Sequence, residues 1–344
     1  MRQTNDTASQ ILWVHRKPRK LGNFSIETSF KSVKLAWKEL LSNPPDETTV
    51  QYYSSGIIDR IRIWLEVRAT EHPIIHISGD IYYSVIGLKK KSVILTIHDL
   101  GMIEGKTAIS RWLRSAIWLN LPLRSTKHVI AVSNRTKNEI LTRTHFPAER
   151  ITVIPSVVST IYKNRQTTPK NSKPRILHIG LADNKNLNRH AAALKGLNVH
   201  LRIIGKPSNI QIKMLQNLNI DFSCASNLSE VQLQSEYAAS DMLLFCSTLE
   251  GFGMPIIEAQ IIGVPVITSA LAPMDDTAGE GAFLVNPKDI VSIQKAVKEI
   301  IGNERLKTEL ISKGQMNAKR FSAANAARMH SELYAQIIEE STTT

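Results

Sequence analysis

Short, uninterrupted apolar runs alternate with longer helix-patterned segments along nearly the whole chain, and this alternation limits the fold more than any other feature. In the first half the strand candidates are ILWVH (11–15), TVQYY (49–53), PIIHI (73–77), SVILTIH (92–98), HVIAV (128–132) and ITVIP (151–155). Between them lie the helix patterns FKSVKLAWKELL (30–41), IIDRIRIWLEVRA (57–69) and RTKNEILTR (135–143). The second half repeats the scheme with strands RILHIG (175–180), HLRIIG (200–205), DMLLFCS (241–247) and VPVITS (264–269). Its helix patterns are NLNRHAAALKGL (186–197), SEVQLQSEYAAS (229–240) and PIIEAQIIG (255–263), and after residue 286 the chain turns helical. A strand apolar at every position is covered on both faces, and interleaved helices supply that cover. The expected fold class is therefore α/β, with two doubly wound parallel-sheet, Rossmann-like domains. The polar stretch YKNRQTTPKNSKP (162–174), with two prolines and no apolar period, reads as the linker. The expected division is residues 1–165, residues 166–320 and a terminal helix, 321–344, packing back toward the first domain. In such domains ligands sit at the carboxyl ends of the strands, which predicts a shared central cleft.

Charge is distributed as unevenly as hydropathy is regular. The net charge is +13 over 344 residues, and residues 1–165 hold 25 Lys and Arg against 13 Asp and Glu. Nearly all of the excess is therefore in the first half, which predicts an anionic partner there: nucleic acid, an anionic membrane surface or a phosphorylated acceptor. No helix-turn-helix, RNA-binding aromatic signature or zinc finger supports nucleic acid. No apolar run is long enough to span a bilayer, and the four-residue apolar run before His15 is too short for a signal peptide. Two cysteines without a CxxC pair give neither a disulfide framework nor a zinc site, so a cytoplasmic location is expected.

The segment LEGFGMPIIEAQIIGVPVITS (249–269) holds the most specific chemistry. DMLLFCS reads as a buried strand, and the loop after it contains Gly251 and Gly253, which allow positive φ and close approach of backbone N–H groups to a ligand. Pro255 suits a helix start and Gly263 a helix stop. A ligand at this loop meets a helix N-terminus, where unpaired donors favour anions. Glu250 and Glu258 flank the same mouth, and paired carboxylates suit vicinal hydroxyls of a sugar. The plainer alternative is that Glu258 only complements the helix dipole.

Glu-Gly-Phe-Gly-x-Pro with a second Glu eight residues after the first resembles the signature of the family 4 retaining glycosyltransferases of GT-B fold. The likeness extends through VIP (153–155), RILHIG with NKNL, HLRIIGK (200–206), NLSEVQLQSEYAASDMLLFCS and AGEGAFLVNP. HISGDIYY (76–83) and ILTIHDLG (94–101) resemble bacterial members that build O-antigen and other surface polysaccharides. The resemblance implies that Glu258 holds ribose hydroxyls of a sugar nucleotide and that Glu250 binds the donor sugar. Gly251, Phe252 and Gly253 would contact sugar and diphosphate, with Met254, Pro255 and Ile256 continuing that wall. Lys185, following Gly180, would neutralise the departing diphosphate, since growing negative charge is best met by a prepositioned cation. His98 would lie on the acceptor side beside Asp99, which either orients the imidazole or caps the next segment. Gly22 and Asn23 in KLGNFSIE (20–27) either approach the donor phosphates or form a plain turn.

Two positions depart from the pattern. Leu181 stands where many relatives have an arginine, so Lys206, or Arg19 and Lys20, is expected to supply the second cation. Asp275 and Asp276 replace the usual Pro-Glu of a later loop. The implied reaction moves a sugar from GDP-mannose or a UDP-hexose to a hydroxyl of a glycan or polyprenyl-diphosphate-linked acceptor, with retention and with no metal or cofactor. No D-x-D triplet occurs in the chain. KTAISRWLRSAIWLNLPLRSTK (106–127) combines arginines with tryptophans, which fits either an interfacial helix on an anionic membrane or a core helix with a solvated basic face. A GT-B-fold sugar-nucleotide epimerase and a basic nucleic-acid-binding protein are the competing functions.

Overall fold

A computed structural model describes residues 8–18, 25–41, 43–88, 91–103, 107–165 and 171–342. It divides into two compact units, residues 1–157 with 323–344, and residues 158–322. The first contains β1 (Ile11–His15), α1 (Ser25–Leu40), β2 (Asp46–Thr49), α2 (Ile57–Arg68), β3 (Ile74–Ile77) and β4 (Ser92–Ile97). It continues with α3 (Ala108–Ser115), β5 (His128–Ala131), α4 (Asn134–Arg143) and β6 (Ile151–Val153). The strands form one parallel sheet in the order β2-β1-β3-β4-β5-β6. The order reverses between β1 and β3, so the switch point of this sheet lies at their carboxyl ends.

The second unit contains β7 (Arg175–Ile179), α5 (Leu187–Leu194), β8 (His200–Ile204), α6 (Asn209–Asn217), β9 (Phe222–Ala225), α7 (Glu230–Ala238) and β10 (Met242–Phe245). After them come α8 (Met254–Ile262), β11 (Val266–Ser269), α9 (Met274–Ala278), β12 (Phe283–Val285), α10 (Ile290–Gly302) and α11 (Glu304–Ala318). Its parallel sheet runs β12-β11-β10-β7-β8-β9, with the switch point between β10 and β7. Serine caps mark the helix starts. Ser208 and Ser229 each accept from the backbone N–H three residues on, and Gln211 and Gln232 return the bond.

The last helix, α12 (Ala323–Thr342), belongs to the first unit, where it packs along α1. Its Tyr334 is fully buried, accepts from Trp13 Nε1 at 2.8 Å and lies 2.6 Å from His76 Nδ1. Phe30, Trp37 and His330 pack edge-on around Trp13. This aromatic core covers one face of the first sheet.

Three expectations need correction. The second strand is DETT (46–49), not TVQYY. It is an exposed edge strand paired only to β1, so it needs no apolar run. The short strands β9 and β12 lie at the two edges of the second sheet and were missed as well; with four and three residues they are too short to show a pattern. The boundary lies at 157/158 rather than 165/166, because the segment read as linker is fastened to the second unit. Arg165 N–H donates to the Ile262 carbonyl at 2.9 Å and its guanidinium to that of Ser240 at 2.8 Å. Tyr162 packs edge-on against Tyr237, with ring centroids 6.1 Å apart.

Candidate active site

The switch point of the second sheet brings the loop after β7 against the loop after β10. Two asparagines fasten them together. Asn184 Nδ2 donates to the Leu249 carbonyl at 2.8 Å, and the Asn184 carbonyl accepts from Thr248 N–H at 2.8 Å. Asn186 Nδ2 donates to the carbonyls of Cys246 and Pro287 at 2.9 and 2.7 Å. Asn186 has φ 64°, a left-handed conformation that asparagine tolerates better than most residues. Neither residue was named from the sequence. An asparagine directly before a helix pattern, the residue type that tolerates left-handed backbone, is the sequence signal that could have found Asn186.

Lys185 is held between these two asparagines. Its Nζ lies 2.6 Å from Glu250 Oε1 and 4.8 Å from the centre of the Phe245 ring. Its aliphatic stem lies over Gly180, where a Cβ would come within 3.0 Å of Lys185 Cγ. Gly180 also has φ +88°, so glycine is required here both for space and for conformation. The structure therefore brings together Gly180, Lys185 and Glu250. Under this loop His178 and His190 face each other through their Nδ1 atoms at 2.9 Å, and burial lowers both pKa values.

The glycine loop then enters α8. Gly253 is the N-cap with φ 104°, and Pro255 is the second helical residue rather than the first. Phe252 turns inward, edge-on to Phe321, while its carbonyl accepts from Thr277 Oγ1 at 2.8 Å. Ile256 is fully buried beneath the turn, and a Cβ on Gly253 would come 3.0 Å from its Cδ1. The side chains of Phe252 and Ile256 thus pack the loop from its inner side. Gly251 and Met254 are partly exposed.

Glu258 stands one turn into α8, partly buried. The Tyr237 hydroxyl, itself fully buried on α7, donates to Glu258 Oε2 at 2.5 Å. Burial pushes the Glu258 carboxyl up to about 7, with Glu230 adding to the rise, while the Tyr237 hydrogen bond and the Lys185 charge oppose it. Tyr237 was not named from the sequence; it reads there as one more apolar helix position.

Leu181 folds over Gly205, with a Cβ there 2.6 Å from Leu181 Cδ1, so it packs the loop rather than presenting a cation. Lys206 is exposed beside it and forms no ion pair among the described residues. Arg19, Lys20, Gly22 and Asn23 lie outside the described residues. Asp275 and Asp276 occupy the first turn of α9, where acids complement the helix dipole, and Asp276 lies 3.6 Å from Arg320.

In the first unit, His98 follows β4. Its Nε2–H donates to the Ser78 carbonyl at 2.9 Å, and burial lowers its pKa, so the ring is neutral with Nδ1 as the acceptor. Asp99 does not orient this ring. Its Oδ1 accepts from Gly101 N–H at 2.8 Å and caps the next turn. Arg16, after β1, was overlooked. It is buried and bridges Glu27 at 2.9 Å and Asp80 at 3.1 Å at the switch point of this sheet.

Two six-stranded, parallel, doubly wound units define the GT-B class. The crystal structure of Anabaena Alr3699/HepE in complex with UDP and glucose superimposes with a TM-score of 0.72 at 16% identity, covering 95% of this chain and 99% of that one. Residues 43–161 match the model of Glycosyltransferase Family 4, and residues 161–316 that of Glycosyl transferases group 1. The chain belongs to the family 4 glycosyltransferases of GT-B fold. Among curated relatives, the O-antigen chain mannosyltransferase RfbU of Salmonella typhimurium is 27% identical over 214 residues, covering 60% of each chain. O-antigen chain mannosyltransferase B of Escherichia coli is 24% identical over 228 residues, again covering 60% of each. The chain spans about 60% of the length of these relatives.

Proposed function

We propose that this protein transfers a sugar, with retention of configuration, from a nucleoside diphosphate sugar to a hydroxyl of a glycan or lipid-linked glycan in surface-polysaccharide synthesis. The observation that carries the proposal is the Lys185–Glu250 pair over Gly180, at the mouth of the helix that bears Glu258. Lys185 neutralises the diphosphate as the bond to the sugar breaks, helped by the backbone donors at the start of α8. Glu250, released from Lys185 by the arriving phosphates, accepts from donor-sugar hydroxyls. Glu258, ionised and steadied by Tyr237, accepts from the ribose. The acceptor hydroxyl attacks from the face the diphosphate leaves, and a phosphate oxygen takes its proton. His98 serves the acceptor side through Nδ1. The sugar nucleotide is a co-substrate, and no resident metal or cofactor takes part. GDP-mannose is the first donor to test, supported by the names of the mannosyltransferase relatives. A UDP-hexose is second, supported by the UDP in the HepE structure. The partners are thus a sugar nucleotide and a glycan rather than nucleic acid, and the work is done on the inner face of the cytoplasmic membrane.

The test is thermal shift against a panel of sugar nucleotides and diphosphates in EDTA, for wild type and Glu258→Ala. Stabilisation by one nucleotide, lost in the variant, is expected. No stabilisation by any of them, with or without a lipid-linked acceptor, would remove the donor site. Consumption of sugar nucleotide without acceptor would indicate an epimerase instead.

A further inference from the structure

The loop that carries Lys185 is fastened near its tip by Asn184 and Asn186. Its base holds a second fastening, made of two buried histidines. His178 lies on β7, shortly before Gly180, and His190 lies on α5, shortly after Lys185. The two residues are 1 and 0% exposed, and their rings meet edge to face at 84° with centroids 5.0 Å apart. Two apolar side chains would fill this space without burying ring nitrogens, which is costly. What the rings add is hydrogen bonds.

Those bonds run in one direction. The Gly180 N–H donates to the Ile204 carbonyl at 3.0 Å, and the Gly180 carbonyl faces His178 Nε2 at 2.8 Å. A carbonyl only accepts, so Nε2 of His178 carries a proton. Burial lowers the pKa of both rings, and the Lys185 charge adds to the fall at His178, so both are neutral. A neutral His178 then accepts at Nδ1, and His190 donates to it through its own Nδ1, 2.9 Å away. Nε2 of His190 is left as a buried lone pair with no hydrogen-bond partner. The chain of bonds therefore starts on α5 and ends on the Gly180 carbonyl.

That end point is where the Lys185 stem rests, since a Cβ on Gly180 would come 3.0 Å from Lys185 Cγ. Rotating the Gly180 peptide would orphan its carbonyl and move the surface under the stem. His190 is tied to the other end of the loop as well. Its N–H donates at 3.1 Å to the carbonyl of Asn186, the N-cap of α5 and the residue next to Lys185.

We propose that His178 and His190 are positioning residues, whose one-way pair of hydrogen bonds sets the Gly180 peptide and thereby holds Lys185 Nζ where the donor diphosphate comes to lie. Both rings are buried, so they act through Lys185 and do not meet the donor. The inference rests on the donor-site reading above and adds to it the groups that hold its cation.

The experiment compares GDP with GMP, and UDP with UMP, by isothermal titration of the full chain as wild type, His190→Leu and His190→Asn. Leucine fills the space without a donor, and asparagine returns an N–H near the place of Nδ1. The second phosphate reports on Lys185, and the monophosphate reports on the rest of the nucleotide site. Wild type should prefer one diphosphate over its monophosphate. His190→Leu should cut that preference about tenfold, the scale of one hydrogen bond to a charged group, with monophosphate affinity kept. His190→Asn should restore it. NMR of the unliganded wild type with isotope-labelled histidine should show coupling between the two Nδ1 nuclei through their shared proton. An unchanged preference in His190→Leu, an equal loss of monophosphate affinity, or no coupling in wild type would overturn the inference. If leucine at this position prevents folding, His178→Gln, which keeps one donor and one acceptor, should retain the preference, and its loss there would overturn the inference too. Wild type that binds neither diphosphate would remove the donor-site reading and this inference with it. The coupling is read without ligand, so its absence is distinct from that failure.

Discussion

Replacing Glu258 with glutamine is predicted to stabilise the protein while disabling donor binding. Burial raises the carboxyl from 4.5 to about 7 in the folded protein. The folded state therefore favours the protonated form. That contribution is fully present below pH 4.5 and is lost as pH rises through about 7. The shift corresponds to up to about 3 kcal/mol of folding free energy spent on ionising Glu258 at pH 8. Glutamine keeps the shape and still accepts from Tyr237, 2.5 Å away from the wild-type oxygen, but cannot ionise. For a unit of this size each kcal/mol is worth roughly 2–4 °C in Tm. Glu258→Gln should thus melt several degrees above wild type at pH 8 and level with it at pH 4.5. The assay is differential scanning fluorimetry across that range, with and without sugar nucleotide. Equal melting of the two proteins at pH 8, or a difference that does not change with pH, would refute the burial argument.

Wild-type donor affinity should itself weaken as pH falls below about 7, roughly tenfold per unit, which isothermal titration at several pH values would reveal. Tyr237→Phe removes a bond that favours the carboxylate, so its midpoint should move to higher pH; an unchanged midpoint would separate Tyr237 from Glu258. Lys185→Ala should lower kcat by about 10²-fold or more when saturated with donor, measured by product formation. Gly180→Ala should cost about 1–3 kcal/mol, since φ +88° is strained for alanine, and should lower kcat as well by displacing the Lys185 stem, both read from denaturant melts and turnover.

Sheet strands buried on both faces were legible from the sequence because their apolar runs are continuous. β1 coincides with ILWVH, and β10 lies within DMLLFCS. Edge strands were not legible, because DETT is mostly exposed, FSCA is only partly buried, and neither follows an apolar rule. Within the site, Glu250 and Glu258 were singled out by their motif and its family resemblance, since spacing left a plain helix-dipole role for Glu258 open. The motif could not show what holds them. Tyr237 lies 21 residues before Glu258, and Asn184 reaches Leu249 across 65 positions. Such partners depend on which strands lie side by side, and that order is a property of the folded sheet. Arg16 was missed for a related reason, since its carboxylates come from α1 and from the loop after β3.

Helix α12 gives the first unit an unusual synthesis schedule. Tyr334 hydrogen-bonds Trp13 across 321 positions and sits among Trp37, His76 and His330. The core around Trp13 therefore lacks one wall until residues 323–342 have left the ribosome. The second unit, residues 158–322, is contiguous and has all its parts earlier. Domains usually mature from the amino terminus onward; here the later-encoded unit is positioned to mature first. Stopping the chain at residue 322 should leave a cooperatively melting second unit and a protease-sensitive first one, and two intact transitions would contradict that schedule.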